Sequence, residues 1–226
     1  MMGQVAVTAV LFDFDGTLAD TAPDLAGAAN DMRRARGMPD APYAALRAMA
    51  SHGARGLLQV AFDTAPDQPE FAALRTEFLD RYEARMTRES QLFAGVPELL
   101  RSLERQAIAW GIVTNKAARF ALPMIQALGL NSQVTVCGDT TAHTKPHPAP
   151  LLHAADQLAQ PAAHCVYVGD DLRDIAAAQA AGMRSIAVTF GYLGDGASPP
   201  ESWGANALAN SPAAILTALS TALRAA

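Results

Sequence analysis

The sequence has few cysteines and no hydrophobic run of membrane-spanning length. Its two cysteines, Cys137 and Cys165, each lie in a segment with the pattern of a strand, which predicts buried, reduced thiols rather than a disulfide or a metal pair. The longest early apolar stretch, residues 5–12, is too short to cross a membrane, lacks a basic flank and is followed at once by Asp13. We therefore expect a cytoplasmic protein without a targeting signal and without a membrane partner.

The chain also lacks an excess of positive charge. Its formal net charge is -5 and its calculated isoelectric point is about 5.5. No basic stripe is present that would neutralise the phosphates of a nucleic acid, so we expect no nucleic-acid partner. A small anionic substrate needs only local positive charge and stays compatible with this composition.

Lysine is scarce even among the basic residues. Of 17 lysines and arginines, only Lys116 and Lys145 are lysines. Arginine is thus the default basic residue of this chain, and a lysine kept against that background suggests a position that needs a compact ammonium group.

Short apolar segments without polar alternation recur along the chain, as in strands that are buried on both faces. They predict strands at residues 5–12, 108–114, 134–137, 165–168 and 185–190. Helical patterns are predicted at residues 97–106, 117–128, 150–158, 175–181 and 212–223, and Gly182 has the position of a helix C-cap. This alternation predicts an α/β fold with a doubly wound, Rossmann-like parallel sheet, which binds ligands at the carboxyl ends of its strands.

One long segment interrupts the alternation of strands and helices. From residue 21 to residue 91 the pattern is helical, with no convincing strand. We therefore predict a core formed by residues 1–20 and 92–226, with residues 21–91 as an inserted domain of stacked helices.

Two carboxylates stand where the first predicted strand ends. Asp13 and Asp15 are two residues apart, so their side chains lean the same way, while Phe14 turns toward the opposite face. Acidic groups beside a core are costly unless positive charge meets them. Residues 13–18, DFDGTL, therefore predict a metal site and chemistry.

Three further polar patches follow later strands or loops. Thr114, in the segment VTNK at 113–116, precedes a predicted helix whose N-terminus would favour a phosphate. Lys145 precedes Pro146 and is held in an extended backbone. The segment GDDLRD at 169–174 places three acids at the start of another helix.

In this order the four patches resemble the signature of the haloacid dehalogenase-like hydrolase superfamily, in its phosphatase branch, over nearly the whole chain. The resemblance implies a helical cap over the active site, with a small phosphorylated metabolite as substrate. It implies that Asp13 is the nucleophile that forms an aspartyl-phosphate and that Asp15 is the general acid and base. Lys145 would neutralise Asp13 and a phosphoryl oxygen.

The same resemblance implies a magnesium site made of oxygen ligands. Its expected ligands are Asp13, the backbone carbonyl of Asp15, and Asp170, with Asp171 or Asp174 in contact with these ligands or bridged by water. Thr114, Asn115 and Lys145 are the expected phosphate-binding residues. Arg55, in a cap segment at residues 51–56 that contains small and basic residues, is the candidate for substrate specificity.

Within the superfamily, Asp15 argues against a haloacid dehalogenase, and the absence of lysine from residues 21–91 argues against a phosphonate hydrolase. The motifs do not separate a phosphatase from a phosphomutase of the β-phosphoglucomutase type, and a non-enzymatic phosphate-binding protein of the same fold would be expected to lose Asp13 or Asp15. The overall pattern resembles the phosphoglycolate phosphatase group. Residues 110–111, 113–116, 169–175, 190–192 and 203–205 are similar to the N-acetylmuramic acid 6-phosphate phosphatases. A monomer or a homodimer is expected.

Overall fold

The computed structural model describes residues 6–193 and 198–221. Its centre is a six-stranded parallel sheet of β1 (Ala9–Phe12), β4 (Ala109–Val113), β5 (Val134–Val136), β6 (Cys165–Gly169), β7 (Arg184–Val188) and β8 (Ala207–Ala209). The order of the strands across the sheet is β5-β4-β1-β6-β7-β8. The five strands expected from apolar runs are confirmed, although residue 5 of the first lies outside the described residues. Both cysteines are free and buried, as predicted.

Three strands were missed by the sequence reasoning. β8 is three residues long, and β2 (Ala19–Asp20) and β3 (Gln91–Leu92) form a two-residue antiparallel ribbon. Segments this short contain too few residues for an alternating or continuous apolar pattern to be recognised. The ribbon lies at the two ends of the helical insert.

Helices cover both faces of the sheet, which confirms the doubly wound architecture. They are α5 (Val96–Arg105), α6 (Ala118–Ala127), α7 (Ala149–Gln157), α8 (Leu172–Ala180) and α9 (Pro212–Thr221). Alternate residues of β1 enter different cores: Val10 and Phe12 join one apolar cluster, whereas Ala9 and Leu11 join the other. Such a strand is buried on both faces and therefore has a continuous apolar sequence.

No helix within the described ranges has the length and hydropathy needed to cross a bilayer.

The regular structure of the insert is helical, and residues 21–90, all of them described, contain no strand; residue 91, the last of the predicted segment, lies in β3. Its helices are α1 (Ala22–Ala35), α2 (Tyr43–Ala48), α3 (Gly53–Phe62) and α4 (Phe71–Glu83). The division of the chain into domains at residues 21 and 91 stays a prediction.

A buried carboxylate joins the beginning of the insert to its end. Asp24, in the first turn of α1, is fully buried and accepts hydrogen bonds from the backbone N–H groups of Glu89 and Ser90 at 2.9 and 2.8 Å. The Ser90 hydroxyl donates at 2.8 Å, and the Arg85 guanidinium lies 3.4 Å away. Gly27 leaves room for Arg85, because a side-chain carbon at that position would overlap the guanidinium.

Replacing Asp24 with alanine should lower the free energy of unfolding by about 2–4 kcal/mol, because two backbone donors and one guanidinium lose their shared acceptor. Urea unfolding followed by circular dichroism measures this change. The matched control is Asp40→Ala, which removes a solvent-exposed ion pair with Arg34 on the same insert and should shift the midpoint little. Equal midpoints for the two variants would contradict this account of Asp24.

Candidate active site

The acids predicted from sequence meet at the carboxyl edge of the sheet. Phe12 is in register with Val168 of the neighbouring strand β6, so Asp13 and Asp170 leave adjacent strands at nearly the same level. The Asp13 N–H donates to the Val168 carbonyl at 2.9 Å. Carboxylate oxygens of Asp13, Asp170 and Asp174 all lie within 4.8 Å of one another. Residues far apart in the chain thus form one acidic triad.

Asp170 is fully buried within this triad. Its two oxygens accept hydrogen bonds from the Thr17 hydroxyl at 3.0 Å and from the Tyr192 N–H at 2.7 Å. Burial raises the pKa of Asp170 well above its usual range, and the charges of Asp13 and Asp174 raise it further. A positive ion at this point would relieve both effects.

Two glycines allow the backbone to pass close to Asp170. Gly16 has φ +84°, and a side-chain carbon on it would overlap the Asp170 carboxylate. A carbon added to Gly191 would overlap both Asp170 and the Gly16 carbonyl oxygen. The tight turn after β1 therefore depends on glycine for its conformation and for space.

Lys145 supplies the positive charge of the triad. Its ammonium lies 2.9 Å from Asp13 and 2.7 Å from Asp174, and it also contacts the Tyr167 hydroxyl at 2.8 Å. The Lys145 side chain is only 2% exposed. Burial lowers the pKa of Lys145, but the charges of Asp13 and Asp174 outweigh burial and raise it overall. The lysine is therefore a fixed charge beside the first aspartate.

The side-chain amide of Asn115 forms two hydrogen bonds with the backbone of Lys145. The Asn115 Nδ2 donates to the Lys145 carbonyl at 2.9 Å, and the Lys145 N–H donates to the Asn115 Oδ1 at 2.9 Å. Its side chain thus aims the lysine, a role that the sequence reasoning did not foresee. The expected contact of Asn115 with phosphate stays a prediction.

Lys116 was given no role from the sequence, yet it belongs to the site. Its ammonium lies 2.9 Å from Asp15 and 4.8 Å from the ring centroid of Tyr82, and its side chain is 9% exposed. The Thr21 hydroxyl also donates to Asp15. The available signal was composition, because Lys116 is one of the two lysines.

Asp171 and Asp174, left unresolved from the sequence, have different positions. Together they form a capping box at the start of α8, and Asp174 is the one that belongs to the triad. The Asp171 carboxylate instead accepts two hydrogen bonds from Arg173, one from Nε and one from Nη2, each at 2.8 Å. Burial raises the pKa of Asp171, but Arg173 outweighs burial and lowers it overall. Arg173 also donates to the Ser51 carbonyl of the insert at 2.8 Å.

Tyr192 connects the triad with the base of the insert. Its N–H donates to Asp170, while its hydroxyl oxygen accepts from the N–H groups of Thr21 and Ala22 at 2.7 and 2.9 Å. The same hydroxyl donates to Asp20 at 3.0 Å. Sequence reasoning noted residues 190–192 only as part of a pattern and missed this connection.

A cavity of about 770 Å³ lies between the insert and the edge of the sheet. Asp13, Asp15, Lys145 and Thr114 line it, and Arg55 lines it from the first turn of α3. A volume of this size is typical of a site for a small molecule. The residues singled out from the sequence as nucleophile, acid, phosphate contact and specificity candidate therefore share one cavity.

The acidic triad fits a divalent cation. Three closely spaced carboxylates, with Asp170 and Asp174 buried, are met by the single ammonium of Lys145. Buried acids without enough positive charge are costly, and an all-oxygen donor set suits a hard cation. The chemistry of the donors therefore agrees with the expected metal site.

Comparison with known sequences identifies the family. Residues 10–188 match the profile described as haloacid dehalogenase-like hydrolase. The chain belongs to this family. The match includes all but the first residue of β1, the whole helical insert, the acidic triad and both lysines.

Curated relatives within the family are phosphatases. The chain is 42% identical to an N-acetylmuramic acid 6-phosphate phosphatase of Pseudomonas aeruginosa, over 98% of this chain and 99% of the relative. It is 49% identical to a phosphoglycolate phosphatase of Xanthomonas campestris pv. campestris, over 90% of this chain and 92% of that relative. A crystal structure of a predicted phosphoglycolate phosphatase from Haemophilus somnus superposes with a TM-score of 0.81 at 27% identity, covering 96% of this chain and 99% of that one. The protein is accordingly a phosphatase of the haloacid dehalogenase-like hydrolase family.

Replacing Gly16 with alanine should reduce phosphatase kcat/KM by about a hundredfold or more, because the added carbon displaces Asp170 and twists the turn that carries Asp15. Gly129→Ala is the matched control, since Gly129 also has positive φ (+67°) but no atom within 4 Å of the added carbon. We expect Gly129→Ala to lose some stability and keep its activity. Similar kinetic losses in both variants would argue against the space requirement at Gly16.

The free energy of unfolding of the metal-free protein should depend on pH because Asp13 is largely buried. Burial raises the pKa of Asp13 to about 7, and Lys145 offsets only part of that increase. Between pH 4 and 7 the folded state then binds more protons than the unfolded chain, so rising pH removes stability through this group. The amide of the Asp13→Asn variant does not titrate in this range. The free energy of unfolding of the variant minus that of the natural sequence should therefore increase as the pH rises from 4 to 7, by at most about 4 kcal/mol. Urea unfolding in EDTA checks this; a constant difference would contradict it.

Proposed function

We propose that the protein is a magnesium-dependent phosphatase that hydrolyses a small phosphomonoester through an aspartyl-phosphate on Asp13. The observation that carries this proposal is the position of Asp13. It lies in the cavity, 2.9 Å from the Lys145 ammonium, in a triad with Asp170 and Asp174. A carboxylate that is partly open to a cavity and held by a fixed cation is suited to attack an electrophile.

In the first step an Asp13 oxygen attacks phosphorus, an O–P bond forms, and the bond to the leaving oxygen breaks. Asp15 donates its proton to that leaving oxygen as the alcohol departs. The contacts of Asp15 with Lys116 and Thr21 hold its carboxyl group in one orientation at the cavity. Lys145 offsets the repulsion between Asp13 and the approaching phosphate.

In the second step Asp15 removes a proton from water, and the hydroxide attacks the phosphorus of the aspartyl-phosphate. The Asp13–phosphate bond breaks, releasing inorganic phosphate and regenerating the carboxylate. Thr114 supports this step, because its hydroxyl oxygen accepts from the Lys116 N–H at 3.1 Å and keeps its own hydrogen for a phosphoryl oxygen.

Magnesium would be held by Asp13, Asp170 and the backbone carbonyl of Asp15, with Asp174 beside them. Bound there, it would supply positive charge that brings nucleophile and phosphate together. Both oxygens of Asp174 accept from protein donors, one from the Lys145 ammonium at 2.7 Å and the other from the Asp171 N–H at 3.1 Å, which favours it as the acid that supports the ligands. Asp171 is occupied by Arg173 and by the cap of α8.

For the substrate we propose a sugar phosphate such as N-acetylmuramic acid 6-phosphate, with 2-phosphoglycolate as the smaller candidate. Both names come from relatives of similar identity. The cavity of about 770 Å³ favours the sugar, because a two-carbon acid leaves most of that space unfilled. Arg55 lines this cavity from the insert and is the proposed specificity residue.

Purified protein with magnesium should release phosphate from an aryl phosphate and, with higher kcat/KM, from N-acetylmuramic acid 6-phosphate than from 2-phosphoglycolate. Asp13→Asn should lower kcat by at least about a thousandfold because the nucleophile is lost. Phosphate release measured with and without EDTA checks both requirements.

Lys145→Gln is a second variant for the same assay and should also lose activity, through loss of the charge beside Asp13. Circular dichroism shows whether each variant is folded. Unchanged turnover in folded Asp13→Asn would disprove the nucleophile, and an isomerised phosphosugar without phosphate release would indicate a phosphomutase.

A further inference from the structure

Three arginines line the cavity without any ion pair to a described acidic residue: Arg55, Arg75 and Arg119. We propose that Arg75 and Arg119, which line the same cavity as Arg55, form a subsite that binds a second anionic group of the substrate. This inference rests on the proposed function and narrows it. The substrate would be a phosphomonoester that carries a carboxylate or a second phosphate away from the phosphate that is transferred.

The acids of the cavity floor already have partners. Asp13 and Asp174 share Lys145, and Asp15 is paired with Lys116. The positive charges of the two lysines are therefore matched by carboxylates at the floor of the cavity.

The remaining acids of the cavity are also engaged. Asp171 pairs with Arg173, and the Asp139 carboxylate accepts the Ala118 N–H at 2.9 Å. The three arginines, at the exposed side of the cavity, are therefore the positive groups of its lining that have no ion pair with a described carboxylate.

Arg75 lies on the face of α4 that turns toward the cavity. Phe71, Phe78 and Tyr82 line the cavity from the same helix, at positions four residues before and three and seven residues after Arg75. Tyr82 lies against Lys116, and Lys116 contacts Asp15. Seven residues of helix span about 10 Å, so Arg75 stands well away from the phosphate end of the cavity.

Arg119 reaches the same aromatic wall from the core. Its guanidinium lies 4.3 Å from the ring centroid of Phe120, and that ring lies 5.5 Å from the ring of Tyr82. Contact with an aromatic face orients a guanidinium and leaves its charge in place. Arg75, on the insert, and Arg119, on the core, thus line one cavity beside the same aromatic residues.

The lack of an acidic partner distinguishes Arg75 from Arg81 and Arg85, the two arginines that follow it in the chain. Arg81, on the same helix, is paired with Glu77 at 2.9 Å, and Arg85, just beyond the end of that helix, contacts three acids. Within the described residues the Arg75 side chain has no hydrogen bond or ion pair, although it lines the cavity. Guanidinium groups bind carboxylates and phosphates through paired N–H donors, which identifies the chemistry of the missing partner.

Distance separates the possible substrates. In 2-phosphoglycolate the carboxylate is one carbon away from the phosphate ester oxygen, too near to reach Arg75 while the phosphate is at Asp13. N-acetylmuramic acid 6-phosphate carries its carboxylate on a lactyl ether across the sugar ring from the phosphate. The subsite therefore favours a substrate with widely separated anionic groups.

The experiment measures kcat/KM for two pairs of substrates that differ in the second anion. N-acetylmuramic acid 6-phosphate is compared with N-acetylglucosamine 6-phosphate, and glucose 1,6-bisphosphate with glucose 6-phosphate. Arg75→Gln and Arg119→Gln should each lower the preference for the dianionic member of one pair about tenfold or more, mainly through KM. Arg81→Gln, on the outer side of the same helix, is the control and should leave both preferences unchanged.

The pair that responds identifies the second anion as a carboxylate or a phosphate. Unchanged preferences in both pairs, or equal losses for both members of each pair, would overturn the subsite while leaving the phosphatase intact. Failure of the natural sequence to hydrolyse any of the four compounds or an aryl phosphate would instead overturn the proposed function. In that case calorimetric Kd values for the same four compounds, measured with the magnesium-loaded protein, still test the subsite.

Discussion

The structure depends on the compensation of negative charge where β1 and β6 end. Three carboxylates within 4.8 Å of one another are held beside two apolar cores, and a single buried ammonium, that of Lys145, is shared between Asp13 and Asp174. Such an arrangement is stable only because hydrogen-bond donors and positive charge are supplied from distant segments. The turn at Gly16, the capping box of α8 and the backbone of Tyr192 all serve this one requirement.

The sequence was informative where a strand is buried on both faces and ends in acids. Continuous apolar runs predicted five strands of the sheet, and DFDGTL and GDDLRD predicted where the acids gather. It was uninformative where a role depends on a partner from another segment. Nothing local distinguishes Lys116 from a surface lysine until Asp15 and Tyr82 are placed beside it, and the amide of Asn115 acquires its role only through the backbone of Lys145.

The helical insert is tied to the acidic edge at several points. Arg173 contacts Asp171 beside the triad and the Ser51 carbonyl of the insert, and Tyr192 contacts Asp170 and the N–H groups that open α1. Asp24 fixes the other end of the insert. The insert side of the cavity is thus connected through hydrogen bonds to the acidic edge of the sheet.

The positions of both lysines depend on one short segment, residues 115–116. Lys116 is itself part of the segment after β4, and Asn115 of the same segment grips the main chain of Lys145. The backbone positions of the two lysines are consequently linked, by the peptide bond between Asn115 and Lys116 and by the two hydrogen bonds between the Asn115 amide and the Lys145 backbone. A small shift of this strand end would therefore move the cation beside Asp13 and the cation beside Asp15 together, so the two pairs keep one relative geometry.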